Sequence, residues 1–144
     1  MSSFVDSIES RLNETGLSEA EFVSATPESP GWRDAEAIFR LGPFRLKFIR
    51  DHRQEFVELA SEPVPEKFYQ FDDVAMAMGW WSLEDVFGGS EPRPIDEILQ
   101  HVTSNFALLS DSFSGDRERL TRARVERAGR ERTKAIIDGR FAKR

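Results

Sequence analysis

The stretch FRLKFIRDHRQEFVELA, residues 44–60, decides the fold of this chain. In its first half, Phe44, Leu46 and Phe48 alternate with charged residues, which is the period-two pattern of a β-strand with one face in water. Four polar residues follow, 51–54, and the chain then resumes a strand-like composition. The stretch therefore predicts an antiparallel β-hairpin with a four-residue turn.

The register of this hairpin follows from the chemistry of the facing residues. Folding the chain about residues 51–54 pairs apolar with apolar side chains and a cation with an anion, namely Phe48 with Val57, Leu46 with Leu59, Ile49 with Phe56 and Lys47 with Glu58. A shift of one residue would move every side chain to the other face of the sheet and destroy this agreement. One register is therefore predicted.

The segment before the hairpin predicts one helix and two more strands. Apolar residues at helical spacing predict a helix over 3–14. A strand is predicted over 35–41, bounded by Pro- and Gly-containing loops. In residues 17–25, Ser18 and Glu21 resemble a helix capping box, but Phe22-Val23 before Pro27 favours a strand over 20–25. Together with the hairpin, these segments predict an antiparallel β-meander of three to four strands.

The Gly42-Pro43 connection joins the strand 35–41 to the hairpin. A two-residue turn there would place Arg40 opposite Arg45, and like charges directly opposite each other destabilise a sheet. We therefore expect a longer loop or a bulge at this connection.

The C-terminal half is predicted to be mainly helical. After a possible short edge strand over 68–71, Asp72 or Asp73 can cap a helix, and another short helix is expected over 80–87. A periodic apolar stripe predicts one continuous amphipathic helix over 95–113. The fold class is therefore α+β, with an N-terminal helix, an antiparallel meander and a helical C-terminal half.

The last predicted helix, about 116–138, is polar and basic along its middle. Larger apolar side chains occur towards its two ends and are predicted to anchor it there, namely Leu120, Ile136, Ile137 and Phe141. We accordingly divide the chain into an α+β domain with an acidic body, 1–115, and a basic C-terminal helix or arm of the same domain, 116–144.

The formal net charge of −6 conceals two regions of opposite sign. Residues 1–114 carry 9 Lys or Arg and 21 Asp or Glu, a balance of −12, whereas residues 115–144 carry 11 and 5, a balance of +6. Such asymmetry is typical of a nucleic-acid tail or of a basic helix held against its own acidic body. The sequence has no cysteine, no long apolar run and no signal-like start, so we expect a cytoplasmic protein without a membrane segment.

The sequence offers little catalytic chemistry. Its two histidines, His52 in the predicted turn and His101 beside an apolar helix stripe, lack metal-ligand spacing and are expected at the surface. Gly88-Gly89 lacks the Lys and Ser or Thr of a phosphate-binding loop. Adjacent carboxylates point in different directions on a helix, so the acidic pairs do not form a two-carboxylate catalytic site. An enzyme would instead need a buried carboxylate with a shifted pKa. We therefore expect a non-enzyme without catalytic residues, metal or cofactor.

Two groups of residues are candidates for binding a partner. Acidic pairs and adjacent tryptophans form a candidate partner-binding surface of Asp72, Asp73, Trp80, Trp81, Glu84 and Asp85. The same acidic residues would also suit helix caps, and the same tryptophans would also suit core packing. The last helix offers a basic arm that includes Arg117, Arg122, Arg124, Arg127 and Arg130. Interleaved glutamates and the acidic body disfavour nucleic acid as its partner. We expect an exposed arm, fixed at its ends, that reaches an acidic surface on its own chain or a second copy.

Residues 31–87 resemble a group of small bacterial α+β proteins. The resemblance rests on Gly31-Trp32, Ala37-Ile38-Phe39 and the hairpin, in which His52-Arg53 stands where Arg-Gly is usual. Some similar proteins are immunity proteins of polymorphic toxin systems. Together with the acidic body, the resemblance implies a non-enzymatic protein-binding module that occludes a basic partner, such as a toxin. The alternative is a nucleic-acid-associated regulator that uses the C-terminal helix.

Overall fold

A computed structural model of the chain describes residues 3–26, 34–87 and 93–139, without the side chains of Ser3 and Phe87. The elements in chain order are α1 (Ser3–Glu14), β1 (Glu21–Ala25), β2 (Ala35–Leu41), β3 (Phe44–Asp51), β4 (Gln54–Ser61), β5 (Tyr69–Gln70), α2 (Phe71–Ala77), α3 (Leu83–Phe87), α4 (Ile95–Ser104), α5 (Phe106–Ser112) and α6 (Arg117–Ile137). The predicted α+β class is confirmed. Gly31-Trp32, Gly88-Gly89 and Phe141, which the sequence singled out, lie outside the described residues.

The five strands form one antiparallel sheet in the order β1-β2-β3-β4-β5. The edge strand predicted near residue 70 adds the fifth strand to the three or four expected. The predicted register of β3 and β4 is confirmed, with Phe48 opposite Val57 and Lys47 opposite Glu58. Lys47 Nζ lies 3.6 Å from Glu58 Oε1, so the charges that favoured this register are in contact.

The turn between β3 and β4 is shorter than predicted. Asp51 pairs with Gln54, so only His52 and Arg53 form the loop. Both residues have positive φ, 49° and 71°, as in a type I′ turn, whose twist matches that of the paired strands. The prediction of a four-residue loop is wrong because the ladder continues through polar residues. A left-handed backbone at a residue other than glycine costs about 1 kcal/mol.

The connection between β2 and β3 is also a two-residue turn. Arg40 lies opposite Arg45, so the predicted longer loop or bulge is wrong. Glu62, just after β4, offsets the repulsion, because its carboxylate oxygens lie 2.6 Å from Arg45 Nε and 3.6 Å from Arg40 Nη1. Gly42 begins the turn with a φ of 59°, a conformation that glycine adopts without steric cost.

One face of the sheet is buried beneath helices. The inward side chains of β2, β3 and β4 alternate along each strand and are buried, among them Ala37, Phe39, Phe44, Leu46, Phe48, Val57 and Leu59. Helices α1, α2, α4 and α5 contribute apolar residues to the same cluster, among them Phe4, Ile8, Phe71, Val74, Leu99 and Leu109. The domain is therefore a two-layer α+β structure whose core lies between sheet and helices.

The amphipathic helix predicted over 95–113 is in fact two helices, α4 and α5, which meet at Asn105. Asn105 has φ −122° and ψ 23°, and its Nδ2 donates a hydrogen bond to His101 O at 2.9 Å. Asparagine side chains compete in this way with helical backbone bonds. The apolar stripe nevertheless continues across the break, because Phe106 and Phe113 both contact the ring of Phe44.

Helix α6 docks along its whole length, but not through the larger apolar residues predicted to anchor its ends. Val125 and Ala135 have no exposed surface, whereas Leu120, Ile136 and Ile137 are 56%, 49% and 77% exposed. The prediction that these three residues anchor the helix is therefore wrong. Among the described helices, none combines the length and apolarity needed to cross a membrane.

Replacing Arg53 by glycine tests the strain in the β3–β4 turn. Glycine adopts this backbone conformation freely, so Arg53→Gly should raise the free energy of unfolding by about 1 kcal/mol and Tm by about 3 °C. Urea and thermal unfolding followed by circular dichroism measure both changes. As the matched control of opposite sign, Gly42→Ala should lower stability by about 1 kcal/mol. A less stable Arg53→Gly variant would contradict a strained turn.

Candidate functional site

Helix α6 presents small and polar residues to the body. The buried positions repeat at spacings of three, four and seven, which marks one helix face, and comprise Glu118, Thr121, Val125, Ala128 and Ala135. Only Val125 among them has a sizeable aliphatic side chain, so the hydrophobic pattern of the sequence does not mark this face. We call the contact of this face with α2, β5 and the end of β4 the seam.

A bidentate ion pair joins α2 to α6 across the seam. Asp73 accepts hydrogen bonds from Arg132 Nε at 2.8 Å and from Arg132 Nη2 at 3.2 Å. The two side chains are only 9% and 19% exposed, so the pair is largely removed from water. The hydrogen bonds to Asp73 raise the pKa of Arg132. Removing one partner would leave a buried charge uncompensated, so the pair fixes which face of α6 meets α2.

The first turn of α2 differs from the prediction. The helix begins at Phe71, and Gln70 occupies the N-cap without a side-chain capping bond, so neither Asp72 nor Asp73 is the cap. Asp73 instead faces α6. Burial, and next the proximity of Asp73, raises the pKa of the half-buried Asp72.

Gly129 lets Asp73 approach the backbone of α6. A Cβ at this position would lie 2.9 Å from Asp73 Oδ2 and 3.5 Å from its Cγ, closer than side chains normally allow. A glycine inside a helix costs about 1 kcal/mol relative to alanine, and here it makes room for a carboxylate. The sequence marks Gly129 only as an interruption of a helical pattern.

Tyr69 in β5 forms a second polar contact of the seam. Its hydroxyl donates a hydrogen bond to Glu126 Oε2 at 2.5 Å, and Lys67 Nζ lies 2.9 Å from the same oxygen. Burial, reinforced by the bond to Glu126, raises the pKa of Tyr69 to about 12. The hydrogen bonds from Tyr69 and Lys67 lower the pKa of Glu126.

Glu118 forms a third polar contact near the start of α6. It accepts hydrogen bonds of 2.5 Å from both Ser61 Oγ and Arg122 Nε. Burial alone would raise the pKa of Glu118, but these hydrogen bonds outweigh it and lower the pKa. Two of the three glutamates in α6, Glu118 and Glu126, therefore bind α6 to the body.

A groove of about 560 Å³ runs beside the seam. Tyr69 and Asp73 line it on the side of the body, and Gly129 lines it from α6. Arg130, Thr133, Lys134 and Ile137 of α6 line it as well. The acidic groups of the groove are already bound within the chain, so the chemistry that it offers a ligand is cationic and aliphatic.

The two tryptophans lie in the bend between α2 and α3, outside the helix predicted over 80–87. Trp80 stacks on His101 with ring centroids 6.0 Å apart, and Trp81 meets the same ring edge-on at 5.3 Å. Arg93 lies 4.2 Å above the Trp81 ring. His101, which was predicted at the surface, is half-buried, because its ring packs against both indoles. Trp81 is 8% exposed and Trp80 is half-buried.

Helix α3 begins with a reciprocal cap. Ser82 N donates to Asp85 Oδ2 at 2.8 Å, and Asp85 N donates to Ser82 Oγ at 3.1 Å. The hydrogen bonds from Ser82 lower the pKa of Asp85. Glu84 lies between these residues with its side chain exposed. We call Asp72, Trp80, Glu84 and Asp85 the acidic corner.

The structure divides the six residues predicted to bind a partner. Asp73 and Trp81 are buried in contacts within the chain, and their assignment to an accessible surface is corrected. The remaining four residues form the acidic corner, where Asp72 and Trp80 are half-buried and Glu84 and Asp85 are exposed. For these four residues, partner binding stays a prediction.

The residues of the predicted basic arm are divided as well. Arg122 is bound by Glu118 and lies against the body, so its place on an exposed arm is corrected. The other four are exposed on the outer side of a helix that docks in its own chain, namely Arg117, Arg124, Arg127 and Arg130. The helix is therefore part of the domain rather than a free arm.

One group in the described ranges has metal-ligand spacing. The ligand atoms of Asp34, Asp51 and His52 lie within 4.8 Å of one another at the β3–β4 turn. His52 Nδ1 also lies 3.0 Å from Asp51 Oδ1. Asp34 is half-buried, whereas Asp51 and His52 are exposed, so water would compete with these ligands for a bound cation.

Comparison with known proteins adds no relative. No family model matches the chain, and no curated protein or solved structure matches it. The resemblance of residues 31–87 to immunity proteins therefore stays a prediction.

The substitution Gly129→Ala tests the close approach at the seam. Helix propensity alone predicts a gain of about 1 kcal/mol. We expect instead a loss of about 1 kcal/mol, because the added methyl would displace a carboxylate that Arg132 holds. Urea unfolding measures the change. In a background with Asp73→Ala the clash is absent, so adding Gly129→Ala should be neutral or stabilising. A gain in the wild-type background would contradict the contact.

Titration of Tyr69 tests its bond to Glu126. Tyr69 is the only tyrosine, so tyrosinate absorbance near 295 nm reports on it alone. The raised pKa predicts ionisation near pH 12 rather than the usual value of about 10. Because the folded-state pKa is raised, the contribution of Tyr69 to stability is present below about pH 10 and is lost as pH rises towards 12.

Glu126→Gln is the matched variant for this titration. It removes the negative charge beside the hydroxyl and should lower the midpoint towards its usual value. The control Glu131→Gln, on an exposed residue of the same helix, should leave the midpoint unchanged. Equal midpoints in wild type and Glu126→Gln would show that Glu126 does not influence the phenol.

Proposed function

We propose that this chain is a non-enzymatic protein-binding module that occludes a basic partner with its acidic surface, as an immunity protein does. The observation that carries the proposal is the segregation of charge. The sequence up to residue 114 has a balance of −12, whereas the cations of α6 lie on a separate helix. An acidic surface accelerates encounter with a basic protein and disfavours acidic competitors.

The acidic corner suits the centre of such an interface. Trp80 is stacked on His101 and packed near Phe71, so its ring is held in place while part of it stays accessible. A preorganised aromatic side chain loses little entropy on binding, and tryptophan is favoured at binding hot spots. The exposed carboxylates of Glu84 and Asp85 lie beside it in sequence and can meet cations of the partner.

Three of the reactive side chains are engaged in contacts within the fold. His101 packs against two tryptophans, and Asp73 and Glu118 are bound to arginines. These groups take part in packing and ion pairs, and they are not arranged as a nucleophile with its base. The proposal includes a cytoplasmic location, which the absence of cysteine supports.

Affinity capture from the native host tests the proposal. Tagged wild-type protein should retain one basic protein at equal stoichiometry, and added salt should weaken the capture. Reversing a charge of the corner, Glu84→Arg, should weaken binding about fivefold or more. The matched control is Glu19→Arg, an exposed residue between α1 and β1, which should bind as wild type does.

Thermal unfolding should first show that both variants are folded. The absence of any stoichiometric partner with soluble wild-type bait would contradict the proposed function. Equal retention of the partner by Glu84→Arg and Glu19→Arg would remove the acidic corner from the interface.

A further inference from the structure

Docking gives α6 a charge pattern that its sequence conceals. Glu118 and Glu126 face the seam, together with Arg122 and Arg132, and their charges are matched there. The outward cations are Arg117, Arg119, Arg124, Arg127, Arg130 and Lys134. We call these six residues the basic ridge. The interleaved glutamates that make α6 look mixed in sequence are thus largely turned away from solvent.

Most cations of the ridge have no counter-ion in the part of the chain that the structure describes. Across residues 3–26, 34–87 and 93–139, Arg127 alone among the six makes an ion pair, at 3.9 Å to the exposed Glu131. From Arg117 to Lys134 the ridge spans 18 residues, or about 25 Å of helix. The six cations are therefore spread over the broad solvent-facing side of a helix that is docked on the body.

Aliphatic side chains accompany these cations. Leu120 is 56% and Ile137 is 77% exposed near the two ends of the ridge. Ile137 also lines the groove beside α6, together with Arg130 and Lys134. The ridge therefore offers a partner both positive charge and apolar contact.

A protein fits this surface better than a nucleic acid does. Exposed aliphatic residues have no partner on a phosphate backbone, and α6 has no aromatic residue on which bases could stack. A duplex longer than the ridge would also pass over the acidic body, whose charge balance is −12. Salt screens charges only over about 10 Å, so phosphates close to the body would still be repelled. The complementary partner is an acidic protein surface of limited extent.

We propose that this partner is a second copy of the chain, whose acidic body receives the ridge. Every copy carries both of the complementary surfaces, namely the acidic body, with a charge balance of −12, and the outward cations of α6. The cations of the ridge are exposed, and exposed ion pairs contribute about 1 kcal/mol or less each. The association is accordingly weak, and it depends on salt because its ion pairs are exposed.

Sedimentation of the full chain tests this proposal. At about 100 μM protein and about 20 mM salt, where charges are weakly screened, the average mass should exceed the monomer mass of 16.5 kDa. At about 500 mM salt it should return to that of the monomer. A wild-type chain that is monomeric under both conditions would overturn the proposal.

A ridge variant and a charge-matched control identify the surface. Replacing Arg124, Arg127 and Arg130 by glutamine should weaken self-association about tenfold at low salt. The control adds three acidic residues at exposed positions of the body, Asn13→Glu, Ser18→Glu and Gln100→Glu, and reaches the same net charge with the ridge intact. It should associate at least as well as wild type. Equal weakening of both variants, or none in the ridge variant, would contradict a role for the ridge.

Mixing separates a ridge-to-body contact from a ridge-to-ridge contact. The ridge variant keeps its acidic body, so a fluorescently labelled sample should sediment faster when unlabelled wild-type protein is added. No change on mixing would overturn the ridge-to-body arrangement. Ridge-dependent binding of a duplex DNA of about 25 base pairs, tighter than self-association at the same salt, would instead assign the ridge to nucleic acid.

Discussion

The carboxylate of Asp73 lies under α6, held by two hydrogen bonds from Arg132 and reached only because Gly129 has no side chain. This contact sets how α6 lies on the body. Replacing a buried ion pair by well-packed apolar residues is often neutral, whereas breaking one by removing a single partner costs about 3–5 kcal/mol. The pair therefore contributes less to net stability than to specificity, because only one rotation of α6 gives both charges a partner.

The surface chemistry of the molecule follows from that rotation. With Arg132 directed to α2, Glu118 meets Ser61 and Glu126 meets Tyr69. The remaining cations of α6 then point outward, and the helix becomes basic on its solvent side although its sequence alternates in sign. The acidic corner and the basic ridge are two separate surfaces on one rigid domain, and the proposed functions assign each of them an oppositely charged protein.

The sheet was predictable because its determinants are local in sequence. Facing residues of β3 and β4 match in polarity and charge only in one register, so residues 44–60 suffice to define the hairpin. The turns were harder to predict. The opposition of Arg40 and Arg45 is tolerated because Glu62, from beyond the next strand, lies between them. The His52-Arg53 turn adopts positive φ without glycine, which composition does not predict.

The seam was hidden for a different reason. A hydrophobic pattern identifies a docking face by its large apolar side chains, and the buried face of α6 consists mainly of small, polar and charged residues. Its partners Ser61, Tyr69 and Asp73 are each 57 or 59 residues away along the chain, so no local spacing links them to α6. The six predicted partner-binding residues were likewise sorted into buried and accessible ones by tertiary packing.

Native-state hydrogen exchange of the unmodified chain tests most directly whether α6 is held by the seam as part of the domain. The amides of residues 121–135 should exchange only through global unfolding, with a free energy within about 1 kcal/mol of that for β3. Exchange of these amides many-fold faster than β3, at the rates of an exposed helix, would contradict the docked helix and the charge pattern that follows from it.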